Sequence, residues 1–277
     1  MRFDLLMMAA AALATGDAPA VPHAPTASAP RIEAAAPDTL PAGARIMQRA
    51  ARAVLSGVGI ESGTATARAQ AALTALRGRV RRQSDPDALR LAFRAYYNYK
   101  SVHPEEVRKP YLYYVDYGLD SGTPRGYVFD MEALRVVDGP FTVAHGRGSE
   151  PGRSGVPMYF SNQNGSHATS LGLFLAQETY SFVGHDSGRP YRSIGMRLMG
   201  LSGVFNNTAR SRGVVVHGAP YVTAMGAGRS QGCPALEQWR AYRLIPEIAN
   251  GSLVFLFSPR DRNWMTRDPW VREGSAS

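Results

Sequence analysis

The chain has 277 residues, 44% of them hydrophobic, with 31 basic against 22 acidic side chains. This excludes a wholly disordered chain and allows one large domain, or one domain with appendages. The net charge of +9 suits an anionic partner, but no RNP-like aromatic motif, zinc finger or dense basic run supports nucleic acid.

In chain order, residues 1–20 have the layout of an export signal peptide. Arg2 supplies the positive charge, "LLMMAAAALA" the apolar run, and Ala12-Leu13-Ala14 or Ala18-Pro19-Ala20 a cleavage site. Asp4 and a short charged region depart from the ideal. The apolar run is too short for a stable membrane span, and no other stretch is long enough. The expectation is therefore an exported protein. Residues 21–44, rich in Ala and Pro, have no period and are expected to form a linker.

Residues 45–105 carry apolar positions at helical spacing with Arg between them: "RIMQRAARAVL", "ATARAQAALTALRGRV" and "PDALRLAFRAYYNYK". Asp85-Pro86 is the expected start of the last of these. Leu89, Leu91, Phe93, Tyr96 and Tyr97 form a packing stripe. From 106 to 260 the texture is short aromatic and β-branched runs between Gly, Pro, Ser and Asn turns. "YLYYVDYG", "GYVFDM", "LRVVDGPFTVAHG", "GLFLAQETYSFV", "SIGMRLMGL", "RGVVVHG" and "GSLVFLF" predict a mainly antiparallel β domain. The tail, 261–277, is polar with two Trp that are expected to cover a domain edge. The class predicted is α+β, mainly β.

The one cysteine, Cys233, cannot form an internal disulfide, and a lone thiol in an exported protein is a candidate for chemistry. Pro234 suits the first position of a helix over "ALEQWRAYRL", which would put Cys233 at its N-cap. There the helix dipole would favour thiolate, below the usual value of about 8.5. Leu236, Trp239 and Tyr242 would tie that helix to the core, and Pro246 would end it. Gly232 leaves room for a substrate carbonyl, and the N–H groups of Gly232 and Cys233 are the expected oxyanion donors. His217, at the end of "RGVVVHG" and before Gly218, is the candidate base. Its orienting partner need not be a carboxylate; a backbone carbonyl would serve. His145, His167 and His185 show no H-x-x-x-H or H-x-H spacing, so neither metal nor cofactor is expected. His145 and His185, beside glycines, are expected to line the cleft.

Ser230-Gln231-Gly232-Cys233 resembles the Ser-x-Gly-Cys signature of L,D-transpeptidase (YkuD-like) catalytic domains. "VVVHGAPYV" resembles the segment that supplies their histidine. "FTVAHGRGSE", "FSNQNGSHATSLGLF" and "GRSQGCPA" resemble the branch described as the murein L,D-transpeptidase catalytic domain family, over roughly residues 90–260. The resemblance implies a β-sandwich-like domain with a helix after the cysteine, acting on peptidoglycan stem peptides in the periplasm or envelope. A Cys thiolate attacks the bond between L-centre diaminopimelate and D-alanine, and an amine or water resolves the thioester. By position it implies Cys233 as nucleophile and His217 as base, with Gly232, Ser230 and Gly218 in support. The better-known branch has His where Gln231 stands, and Ile-Arg-Met where Pro234-Ala235-Leu236 stand. The arginine for a substrate carboxylate is thus absent there. Arg229, Arg147 and Arg153 are candidates to replace it, with Gln231 and His145 nearby. A non-catalytic peptidoglycan-binding module is the alternative of another class.

Overall fold

A computed structural model describes residues 64–152 and 154–272. The expected signal, linker and first helical run, and Arg153, lie outside these residues. Two helices come first, α1 (Ala65–Leu76) and α2 (Ala88–Val102). Thr64 caps α1 by accepting the Ala67 N–H. The α2 helix starts two residues after Pro86, because Asp85 Oδ1 first closes a turn with the Asp87 N–H at 2.8 Å.

The strands follow the aromatic and β-branched runs. They are β1 (Tyr111–Asp116), β2 (Gly126–Asp130), β3 (Arg135–Phe141), the short β4 (His145–Gly146), and the long pair β5 (Gly172–Asp186) and β6 (Arg189–Gly200). Next come β7 (Val215–Ala219), the short β8 (Val222–Thr223), β9 (Gly226–Ala227) and β10 (Arg229–Ser230), and β11 (Ala235–Glu237). Then α3 (Gln238–Ile248), β12 (Leu253–Phe257) and α4 (Arg262–Arg267) close the chain. Eight strands make one sheet in the order β11-β7-β6-β5-β12-β1-β2-β3, while β4 pairs with β10 and β8 with β9. Most neighbours are antiparallel, but β1/β12, β7/β11 and β4/β10 run parallel. The class is the expected α+β, mainly β.

Strand alternation assigns side chains to two cores, one on each face. Leu112, Tyr114, Leu173, Leu253, Phe255 and Phe257 join α1, α2 and Trp264 of α4. Tyr113, Val115, Phe174, Val216, Val254 and Leu256 join Leu244 and Ile245 of α3. With both faces covered, β12 is an unbroken apolar run, buried throughout. The packing stripe Leu89, Leu91, Phe93, Tyr96 and Tyr97 is buried against the first face. Of the two Trp in the tail, Trp264 is buried with Nε1 donating to Ser258 O, and Trp270 donates to Leu201 O.

The helix after the cysteine differs from expectation in three ways. It starts at Gln238, not Pro234, because Ala235–Glu237 pair in parallel with His217–Ala219 and satisfy the edge of β7. Trp239 and Tyr242 lie on its outer face, 57% and 51% exposed, so Leu244, Ile245 and Ile248 anchor it instead. Pro246 sits inside its last turn. The N–H that it lacks would have bonded Tyr242 O on the solvent side, and Lys109 Nζ donates to the carbonyls of Pro246 and Glu247.

Two substitutions separate these roles. Phe255→Ala should destabilise the fold by about 3–5 kcal/mol in urea unfolding. Trp239→Ser should cost under about 1 kcal/mol, since the residue is 57% exposed and gives up cation contacts to Arg240 and Arg243.

Candidate active site

His217 lies in β7, between Gly195 of β6 and Ala235 of β11. The β-branched run Val214–Val216 makes that strand, and its alternation sends Val216 toward α3. His217 therefore projects to the opposite face, where Phe182 of β5 packs edge-on at 5.6 Å. The His217 N–H donates to Pro234 O at 3.2 Å, which ties the strand to the residue after Cys233. Its Nδ1 lies 3.1 Å from Gly218 O. A carbonyl only accepts, so Nδ1 carries the proton and Nε2 keeps the free lone pair. Burial lowers the imidazole pKa, and the bond to Gly218 O works against that.

Cys233 is partly exposed and stands two residues before β11. The register that sets Ala235 beside His217 would place Cys233 opposite Val215 had β11 continued backward. The expected N-cap setting is absent, because the helix begins five residues later. Burial pushes the thiol pKa up; the Val215 N–H and the charge of Arg212 pull it down without reversing the direction. Burial raises the hydroxyls of Tyr117, Tyr180, Tyr191 and Tyr221, and a charge on the Cys233 sulfur adds a smaller push to each. These tyrosines were not identified from sequence.

The loop before the cysteine is fixed by Ser230, whose Oγ donates to Cys233 O at 2.6 Å and accepts the Gly232 N–H at 3.1 Å. The Gly232 donor is thereby used. Of the two expected oxyanion donors, only the Cys233 N–H has no acceptor among the described residues. Gly232 has φ +128°, and a Cβ there would lie 3.1 Å from Ala168 O. Gly146 packs against it: a Cβ on Gly146 would come within 2.7 Å of Gly232 Cα.

The residues expected to bind substrate divide into two groups. Arg147 and Gln231 are exposed and meet at the rim, with Arg147 Nε donating to Gln231 Oε1 at 3.0 Å. His145 and Arg229 are instead structural partners. His145 is fully buried, so it does not line a cleft; Arg125 Nη2 donates to its Nδ1 at 2.9 Å, which leaves Nε2–H to face Glu150 at 3.3 Å. Glu150 also pairs with Arg229, which donates further to Ser121 Oγ, Ala227 O and Gly228 O. The guanidinium of Arg229 is thus already committed. His185 is exposed near the tip of the β5/β6 hairpin. Glu150 and Arg212 were not identified from sequence. A lone carboxylate in "HGRGSEPGR" and an arginine just before "GVVVH" were the only signals.

A family model described as L,D-transpeptidase catalytic domain matches residues 81–257. Among solved structures, an L,D-transpeptidase from Mycobacterium smegmatis is similar at 17% identity and TM-score 0.34, over 53% of this chain and 58% of that one. One from Mycobacterium tuberculosis is 16% identical at TM-score 0.32, over 53% and 57%. One from Xylanimonas cellulosilytica is 17% identical at TM-score 0.31, over 54% and 61%. Each match spans less than two thirds of the solved chain. No curated protein matches.

The buried polar chain sets an acid limit on the fold. Burial, and then the Arg125 charge, hold His145 far below its ordinary value of 6.5; burial also lowers His217. Below about 6.5 the unfolded chain therefore binds protons that the folded chain refuses, so stability present above that pH is lost as pH falls. Burial raises Glu150, but its bonds from Arg229 and Gly155 outweigh this and hold it low, which adds a loss of the same sign at lower pH. The thermal midpoint should fall steadily from about pH 6.5 downward; a flat profile to about pH 5 would contradict neutral buried histidines.

Proposed function

The chain belongs to the L,D-transpeptidase catalytic domain family, and we propose that it is an exported peptidoglycan L,D-transpeptidase with Cys233 as nucleophile and His217 as base. The observation that carries this reading is the tether between the two candidate residues. The strand bearing His217 donates its N–H to Pro234 O, next to Cys233, while Gly218 O fixes the ring so that Nε2 is the free acceptor. Periplasmic location follows from the substrate and from the expected signal. Among the described residues no helix is long and apolar enough to cross a membrane.

In this mechanism His217 Nε2 takes the Cys233 proton, and the sulfur attacks the carbonyl carbon of L-centre diaminopimelate. The Cys233 N–H is the donor available to the oxyanion. The C–N bond to D-alanine breaks, and the imidazolium returns the proton to the leaving amine. A thioester remains. An amine of a second stem then attacks it, gives its proton to His217, and the thiol is restored with a 3→3 cross-link. Water in place of the amine gives a carboxypeptidase. The partly exposed sulfur and the tyrosines around it suit an acyl chain laid across the site. Arg147, held by Gln231 at the rim, is the free guanidinium suited to a substrate carboxylate.

Incubation with disaccharide tetrapeptide and chromatography should yield a cross-linked dimer. Tripeptide alone would identify the carboxypeptidase, and no change would defeat both readings. Cys233→Ala should abolish D-alanine release while the protein stays folded, and should also abolish the mass adduct with a carbapenem. His217→Ala should slow acylation by a factor of roughly 10² to 10⁴, measured as single-turnover thioester formation.

A further inference from the structure

Arg212 lies in the turn before β7, and four hydrogen bonds hold its half-buried guanidinium. Nη1 donates to Ser161 O at 3.0 Å and Ser170 Oγ at 2.8 Å; Nη2 donates to Ser166 Oγ and Ala168 O, both at 3.3 Å. All four acceptors are neutral oxygens. Two other partly buried guanidinium groups have a carboxylate, Arg229 with Glu150 and Arg240 with Asp138 and Glu237, whereas the fully buried Arg125 is held by the carbonyls of Leu119 and Val143 and by His145. Arg212 has no carboxylate partner among the described residues. The positive charge of Arg212 is therefore not cancelled by a bonded carboxylate, and an anion formed near it would be stabilised.

The placement identifies that anion. Ala168 O, which Arg212 grips, is the atom that a Cβ on Gly232 would meet at 3.1 Å. Three residues after Arg212, Val215 stands where the β7/β11 register, carried back two residues from Ala235 and His217, sets it opposite Cys233. Burial lowers the Arg212 pKa and a charge on Cys233 works against that, just as burial raises the thiol and the Arg212 charge works against it. We propose that Arg212 is the resident counter-ion of the Cys233 thiolate, a positioning residue that stabilises the charged sulfur from a fixed site beside the Cys loop. The proposal rests on Cys233 being the nucleophile.

The other groups around the sulfur do not supply this charge. Tyr117 follows β1, Tyr180 stands on β5, Tyr191 on β6 and Tyr221 after β7, and their raised hydroxyls stay neutral at physiological pH. His217 from β7 is held neutral by burial until it takes the thiol proton. Four occupied Nη hydrogens also leave Arg212 no fork for a substrate carboxylate. Its contribution is electrostatic: it exchanges no proton, and the proton leaving Cys233 goes to His217.

The test reads the thiol directly and needs no substrate. Cys233 is the only cysteine, so thiolate absorbance and iodoacetamide alkylation against pH report one sulfur in the full chain, with Cys233→Ser as blank. Arg212→Gln should raise the thiol midpoint by about one unit, leaving roughly tenfold less thiolate at a pH below both midpoints. Arg212→Lys should keep the midpoint near wild type. An unchanged midpoint in folded Arg212→Gln, or an equal rise in Arg212→Lys, would overturn the proposal. Should Arg212→Gln fail to fold, the wild type carries the test at alkaline pH, where His217 is neutral. A fixed cation beside the sulfur should make iodoacetate react faster relative to iodoacetamide than it does with free cysteine; an equal or lower ratio would overturn the proposal. Because no arm uses peptidoglycan, failure of the proposed reaction and failure of this inference are separately visible.

Discussion

The site hangs on the parallel pairing of β7 with a strand only three residues long. Ala235–Glu237 take up the outer edge of β7, and the His217 N–H reaches Pro234 O. A single residue of slip would turn His217 from the site face to the α3 face, because side chains alternate along a strand. The register therefore fixes both the side on which the imidazole stands and its distance along the chain from the thiol. It also moves the following helix away. Three residues spent as a strand place its N-terminus beyond reach of the sulfur, and the cysteine must find its charge stabilisation elsewhere.

That shift explains the electrostatics. Burial disfavours the sulfur as an anion and raises the thiol. The backbone N–H of Val215 and, in our proposal, the fixed Arg212 cation beside the Cys loop oppose that cost. The base is held in a matching state: burial keeps His217 neutral, and Gly218 O settles which nitrogen is free. In the proposed mechanism, neutral thiol and neutral imidazole are the resting pair from which one proton transfer makes the charged, reactive pair.

Beneath the site a second polar chain, Arg125–His145–Glu150–Arg229, joins the end of β2 to β4, the following loop and β10. Each member has its donors or acceptors filled, which is what makes such burial tolerable. It clamps the strand that leads into Ser230. Gly146 and Gly232 then meet backbone to backbone, a contact that leaves no space for a side chain on Gly146.

The sequence by itself determined the class, the strand runs and the residue types of the site, because period-2 and helical patterns record which faces are buried. It also singled out Cys233 and His217, by the scarcity of thiols and by the resemblance of their segments. It allowed a backbone carbonyl as the imidazole's partner, without saying which. It misassigned Pro234, Trp239 and Pro246, since local helix signals around "CPALEQW" cannot register that an unpaired strand edge lies beside them. His145 and Arg229 looked like free loop residues because the carboxylate that claims them, Glu150, is remote from Arg229 in sequence. Arg212 was passed over for the same reason: its acceptors lie at positions 161–170, some 42 to 51 residues earlier. Local chemistry is written in neighbouring residues, whereas hydrogen-bond partners and charge environments depend on which distant segments the sheet brings together, and only the tertiary structure decided those.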